Sequence, residues 1–144
     1  MLTFKALKSF FLLVIIGFVV GIQLPVFAEI SIENYCQLAI KSLEKIVPQT
    51  QTLISIVKQY QDDPNLMESL LAEKRSEFDY ENESLYVSYG ITADEFVTYM
   101  NRNGKAVNEY LKFHPEIKGQ IDALSSQLNE LMAEEDTLRQ AAAE

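Results

Sequence analysis

The sequence predicts an all-α protein, a small antiparallel four-helix bundle in which neighbouring helices run up, down, up and down. No segment after residue 28 alternates apolar and polar residues over a useful length, as a half-buried strand would. Instead, four segments carry apolar residues at alternating spacings of three and four, which is typical of amphipathic helices. The connections between these segments are two to four residues long, and such short connections force neighbouring helices to run antiparallel.

The first 28 residues have the three parts of a cleavable secretory signal peptide. Lys5 and Lys8 precede an apolar run from Phe10 to Ile22, and the segment ends at Ala28, where we place the cleavage site. The run is 13 residues long, whereas a bilayer-spanning helix needs roughly 20. The sequence therefore predicts export to a periplasm or to the extracellular space. A retained membrane anchor is the alternative, and it is the only case in which we expect membrane contact.

Residues 29–144 are predicted to form a single helical-bundle domain, because about 115 residues suffice for one core but not for two. All 21 acidic residues and ten of the twelve basic residues lie in this part of the chain, which gives it a net charge near −11. Such a charge repels nucleic acid and anionic lipid, and the sequence shows no basic stripe that would overcome the repulsion. We therefore expect no nucleic-acid partner.

The first helix is predicted over about 32–61, with Ser31 as its N-cap. Its stripe comprises Ile32, Cys36, Ala39, Leu43, Ile46, Thr50, Leu53, Val57 and Tyr60. Pro48 lies inside this helix, lacks a backbone donor and clashes with the preceding turn, so we expect a kink or a break near residues 46 and 47.

The second helix is predicted over about 64–89, with Asp63 as N-cap and Pro64 in the first helical position. Its stripe is looser and comprises Met67, Leu71, Lys74, Phe78, Leu85 and Tyr89. The acidic stretch 78–84 in its middle is where we expect this helix to bend or fray.

The third helix is predicted over about 93–113. Gly90 can adopt the left-handed conformation that ends a helix, and Thr92 with Glu95 has the spacing of a capping box. Its stripe comprises Val97, Met100, Gly104, Val107 and Leu111. A glycine on this stripe predicts that the backbone of a neighbouring helix comes close to Gly104.

The fourth helix is predicted over about 115–140, with Pro115 in its first position and Glu116 at the positive end of its dipole. Its stripe comprises Ile117, Ile121, Leu124, Leu128, Leu131, Glu135 and Leu138. The alternative to a closed bundle is an extended hairpin pair that completes its core by dimerising.

The sequence lacks the residues that most metal or catalytic sites need. It has one histidine, His114, and one cysteine, Cys36, which cannot supply the ligands of a di-iron, structural zinc or haem site within one chain. Asp79, Glu81 and Glu83 resemble the start of a calcium loop, but its glycine and distal glutamate are missing, so a solvated acidic face is the better interpretation. We expect no cofactor, no metal and no enzymatic activity.

Cys36 has three possible roles. A lipid anchor is excluded because a lipoprotein cysteine directly follows the cleavage site, whereas Cys36 lies eight residues beyond Ala28. Its place on the stripe of the first helix favours a buried core thiol. An intermolecular disulfide is the alternative, and a reactive thiol is the least favoured role.

Tyrosines flank the turn at Gly90. Tyr80, Tyr86, Tyr89 and Tyr99 have apolar rings with polar tips, a combination common at interfaces, and we interpret them as a candidate interaction surface. They could also simply cover the end of the core. The predicted function is protein–protein binding or self-association by an exported, non-enzymatic bundle. The alternatives are a carrier of small apolar ligands or lipids and a periplasmic chaperone-like clamp.

Overall fold

The computed structural model describes residues 30–142, and this part of the chain is an all-α four-helix bundle without strands. The helices are α1 (Ile32–Tyr60), α2 (Pro64–Ser88), α3 (Ala93–Phe113) and α4 (Pro115–Ala142). The predicted fold class is confirmed, and each helix boundary lies within two residues of its predicted position. The predicted signal segment, residues 1–28, lies outside the described residues.

The predicted caps are present at three helix starts. The Ser31 hydroxyl accepts a hydrogen bond from the backbone N–H of residue 34, and the Asp63 carboxylate accepts one from that of residue 66. Thr92 and Glu95 form both hydrogen bonds of the capping box. Gly90 has a φ of +75°, the left-handed conformation that a glycine adopts at little cost. Local chemistry therefore sets where α1, α2 and α3 begin and where α2 ends.

Helix α2 runs antiparallel to both α1 and α4. Tyr86 near the end of α2 contacts Ser42 early in α1, whereas Met67 and Leu71 at the start of α2 pack with Val57 late in α1. The same reversal holds towards α4, where Arg75 pairs with a glutamate at position 135 and Arg139 pairs with one at position 68.

It follows that α1 and α4 run in the same direction. Ile117 at the start of α4 packs in the same cluster as Cys36, and Leu138 near its end packs against the cluster that contains Val57. The Lys58 ammonium also lies 2.7 Å from a carboxylate oxygen of Glu134. The four-helix bundle therefore departs from strict up-down-up-down order in its last helix, which is parallel to the first.

The crossing of α3 accounts for this parallel pair. Phe96 near the start of α3 stacks on Tyr35, and Val107 near its end belongs to the same apolar cluster. Both ends of α3 therefore lie at the same end of the bundle as the start of α1. A helix of 21 residues is about 30 Å long, so α3 lies across the other helices instead of returning along them.

Helix α1 is the central helix and packs against all three others. Its buried positions extend well beyond the predicted stripe, and include Tyr35, Leu38, Ile40, Val47 and Ile54. The helix is continuous through Pro48, so of the predicted kink or break the break does not occur. A bend at that position remains a prediction.

The core consists of two apolar clusters with polar residues between them. The first apolar cluster contains Ile30, Tyr35, Cys36, Leu38, Ile40, Ile91, Phe96, Val107 and Ile117. The second apolar cluster contains Val57, Met67 and Leu71. Between them, the Gln49 amide donates to a carboxylate oxygen of Glu81 over 3.1 Å and accepts from the Asn82 amide over 3.1 Å. Lys45 adds an ion pair with Glu81 at 3.3 Å. We call these four residues the polar layer.

The prediction for Gly104 is wrong. A Cβ atom at this position would meet only the side chain of Met100, one turn earlier in the same helix, at 3.8 Å. No neighbouring backbone comes close, because α3 crosses the bundle with Phe96 and Val107 as its buried contacts.

Candidate interaction surface

An aromatic group joins three helices where α3 crosses α1. The Tyr35 ring stacks on Phe96 with centroids 4.5 Å apart and on Tyr99 with centroids 4.6 Å apart. Tyr86 of α2 meets Phe96 at 5.3 Å. Aromatic pairs at these distances each contribute about 1 kcal/mol beyond the area that they bury. These rings fix α3 to the other helices.

Two of these tyrosines are held in an apolar environment. Burial raises the pKa of Tyr35 far above its ordinary value, and the nearby Cys36, Tyr86 and Tyr99 add to the effect. Burial also raises the pKa of Tyr86, although its hydrogen bond with the Ser42 hydroxyl, at 3.0 Å, acts in the opposite direction. Both phenols therefore stay protonated at neutral pH and serve the packing of the helices.

The four tyrosines of the predicted interaction surface occupy different environments. Tyr86 and Tyr99 lie in the aromatic group, and Tyr89 packs on the first apolar cluster beneath the ammonium of Lys41, 5.5 Å from its ring centre. Tyr80 points into solvent with 77% of its surface exposed. The structure therefore brings three of the four to the junction with α3, and Tyr80 belongs to a different face.

That face is the outer side of α2. Leu66, Glu73, Tyr80 and Val87 are spaced by seven residues, which places them on one line along the helix. Leu66 is 43% exposed and Val87 is 59% exposed, so three large apolar side chains on this line face solvent. Leu66 and Val87 were not predicted to belong to this surface, although their spacing from Tyr80 in multiples of seven residues places them on the same side of a helix. We call this line the outer face of α2.

The acidic stretch in α2 does not form a metal-binding loop. Asp79, Glu81 and Glu83 lie in regular helix, where residues two apart point in different directions. Glu81 pairs with Lys45 in the polar layer. Within residues 30–142, no group of three or more His, Cys, Asp or Glu side chains is placed to hold a metal ion.

Cys36 lies in the core, and His114 lies where α3 meets α4. Cys36 is a free thiol that is 1% exposed, and burial raises its pKa, so the thiol is neutral at pH 7. The prediction of a buried core cysteine is confirmed. The His114 ring stacks on Tyr110 with centroids 4.0 Å apart, and its Nδ1 lies 3.4 Å from a carboxylate oxygen of Glu116. His114 therefore covers the junction of α3 and α4.

None of the four described helices combines the length and the apolar character needed to cross a bilayer. Comparisons of the chain with protein families, with curated proteins and with solved structures found no match.

Proposed function

We propose that this chain is an exported, non-enzymatic helical bundle that acts by binding another protein or a second copy of itself. The outer face of α2 is the observation that supports this proposal. It places Leu66, Tyr80 and Val87 in solvent on one line, although apolar side chains of this size gain free energy when they are buried. Large apolar side chains that are exposed along one face of a soluble domain can mark an interaction site.

The surroundings of these side chains favour a protein partner. Glu73 lies on this line between Leu66 and Tyr80, Glu83 lies beside it, and neither forms an ion pair within residues 30–142. An apolar centre with a charged rim is the usual composition of a protein–protein interface. Tyrosine is also among the residue types that contribute most to binding energy at interfaces.

Photo-crosslinking tests this proposal. The chain would carry p-benzoylphenylalanine in place of Tyr80, and a matched variant would carry it in place of the exposed Asn129 on α4. We expect a discrete crosslinked product, with a second copy or with another protein, for position 80 but not for position 129. Equal labelling at both positions, or none at position 80, would show that the outer face of α2 binds no partner.

Export is tested separately by the mass of the mature protein. We expect a first residue of Glu29, because the signal sequence predicts cleavage after Ala28. A chain that keeps its apolar segment would instead support the membrane-anchor alternative.

A further inference from the structure

Three cations that have no partner within residues 30–142 lie together on α3. The described part of the chain contains ten lysines and arginines, and seven of them form an ion pair or lie over an aromatic ring. The other three are Arg102, Lys105 and Lys112, all exposed on the outer side of α3. Phe113 is also exposed beside them, and Glu109 is the acidic residue among them. We call this the outer face of α3.

This clustering is unexpected for a chain with almost twice as many acidic as basic residues. An exposed cation in such a chain has many carboxylates within reach, and every cation of the other three described helices forms an ion pair or lies over an aromatic ring. The outer face of α3 therefore keeps a local positive charge on an acidic protein. This positive charge is complementary to the negative charge of Glu73 and Glu83 on the outer face of α2.

We propose that a second copy of this chain covers both faces. The outer face of α2 in one copy packs against the outer face of α3 in the other, and a twofold axis makes the same contact occur twice. The two helices are neighbours within one chain, since Tyr86 of α2 contacts Phe96 of α3, so one axis can serve both contacts. The proposal of a dimer rests on the proposed binding function and specifies that the partner is a second copy of the chain.

The contact buries the exposed apolar side chains of α2 together with the alkyl stems of the cations of α3. Tyr80 and Val87 from one copy meet the alkyl stems of Lys105 and Lys112 from the other, and Phe113 adds an aromatic side chain at one edge. The outer face of α3 runs from Arg102 to Phe113, about 17 Å of helix, so two such contacts make an interface at or below the lower end of the usual size range. The dimer should accordingly be weak and sensitive to salt.

A charge-swap experiment tests the pairing. One variant, E73K/E83K, makes the outer face of α2 basic, and the other, K105E/K112E, makes the outer face of α3 acidic. Each variant alone presents like charges at both contacts and should be a monomer. In an equimolar mixture, both contacts of the heterodimer join opposite charges. We therefore expect the mixture to associate at least about tenfold more tightly than either variant alone.

Sedimentation velocity on the purified protein at about 100 μM and low salt measures these states, and circular dichroism checks that each variant keeps its helix content. The unmodified protein should be dimeric, and raising the salt concentration to about 0.5 M should weaken its association roughly tenfold. A monomeric wild-type protein, or folded variants that remain dimeric alone, would overturn the proposal, as would a mixture that stays monomeric.

Two outcomes separate this inference from the proposed function. If the protein is monomeric and position 80 crosslinks to a different protein, the dimer is refuted while the binding function stands; without any crosslink, both fail. If the monomeric protein binds phosphatidylserine vesicles and K105E/K112E abolishes that binding, the outer face of α3 serves a membrane and the dimer is likewise refuted.

Discussion

The neighbouring glutamates Glu134 and Glu135 provide a matched test of the contact between α2 and α4. The Glu135 carboxylate is 13% exposed and lies 2.8 Å from the Arg75 guanidinium of α2 and 3.8 Å from that of Arg139. The Glu134 carboxylate is 44% exposed and pairs with the ammonium of Lys58 at 2.7 Å. Replacement of either residue by glutamine removes one charge and keeps the size of the side chain.

The expected losses differ because the two carboxylates differ in burial. A hydrogen bond to a charged group contributes about 1.5 to 3 kcal/mol when it is shielded from water. Since Arg75 is 43% exposed, and glutamine can still accept one hydrogen bond from it, we expect Glu135→Gln to lower the free energy of unfolding by about 1 to 1.5 kcal/mol. An exposed pair contributes less, so Glu134→Gln should cost about 0.3 kcal/mol.

Urea denaturation followed by far-ultraviolet circular dichroism measures both losses. In about 0.5 M salt the cost of Glu134→Gln should vanish, whereas most of the cost of Glu135→Gln should remain, because salt screens exposed pairs more than shielded ones. Equal losses for the two variants, or a loss at Glu135 that salt removes entirely, would refute the packing of α2 on α4 described above.

Three further predictions follow from the core, a cap and the buried phenols. Leu71→Ala should lower the free energy of unfolding in urea by about 3 kcal/mol, whereas Leu66→Ala on the exposed side of the same helix should cost less than about 1 kcal/mol; similar losses would contradict the burial of Leu71. Thr92→Ala removes the capping box of α3 and should cost about 1 kcal/mol in the same assay, and an unchanged urea midpoint would count against the cap. Because burial raises the folded-state pKa of Tyr35 and Tyr86, their contribution is fully present below pH 10, the ordinary tyrosine pKa, and is lost as the pH rises towards the folded-state values. The urea midpoint should therefore fall above about pH 10, and less steeply in Tyr86→Phe; a midpoint that stays flat to pH 12 would contradict the buried environment.

The helices could be predicted from the sequence because their signals are local. Ser31, Asp63 and Thr92 each satisfy backbone donors within three residues of themselves, and Gly90 ends α2 by its own conformation. The burial of Cys36 followed from its position on one helical stripe.

The direction of α4 could not be predicted in the same way, because it depends on contacts between residues that are far apart in sequence. The connections before and after α3 have the same short lengths whether the helices alternate in direction or α3 crosses the bundle. The direction of α4 is decided by the packing of Phe96 and Val107 at the same end of α1, and no local sequence pattern indicates this packing. The predicted stripe of α1 was too narrow for a related reason, since α1 packs against three helices and not one.

The spacing of residues along a helix also could not distinguish an apolar contact from an ion pair, and it could not show which charged side chains remain unpaired. Glu135 occupies a stripe position of α4, and the structure fills that position with an ion pair to Arg75. The isolation of Arg102, Lys105 and Lys112 on α3 emerges only once the other seven cations of residues 30–142 have been located beside their partners. A basic stripe was accordingly not predicted from the sequence, whereas the structure has a short one on α3.

The polar layer determines which of several alignments α2 can adopt along α1. The residues of the second apolar cluster, such as Met67 and Leu71, could slide by one helical turn and still meet apolar side chains. Such a slide would move Asn82 and Glu81 about 5 Å from Gln49 and leave the buried Gln49 amide without these partners. The layer therefore selects a single register at some cost in stability, much as one buried asparagine does in a coiled coil. That register also fixes where Tyr80 and Val87 lie relative to α3, so the position of the outer face of α2 depends on part-buried hydrogen bonds between α1 and α2.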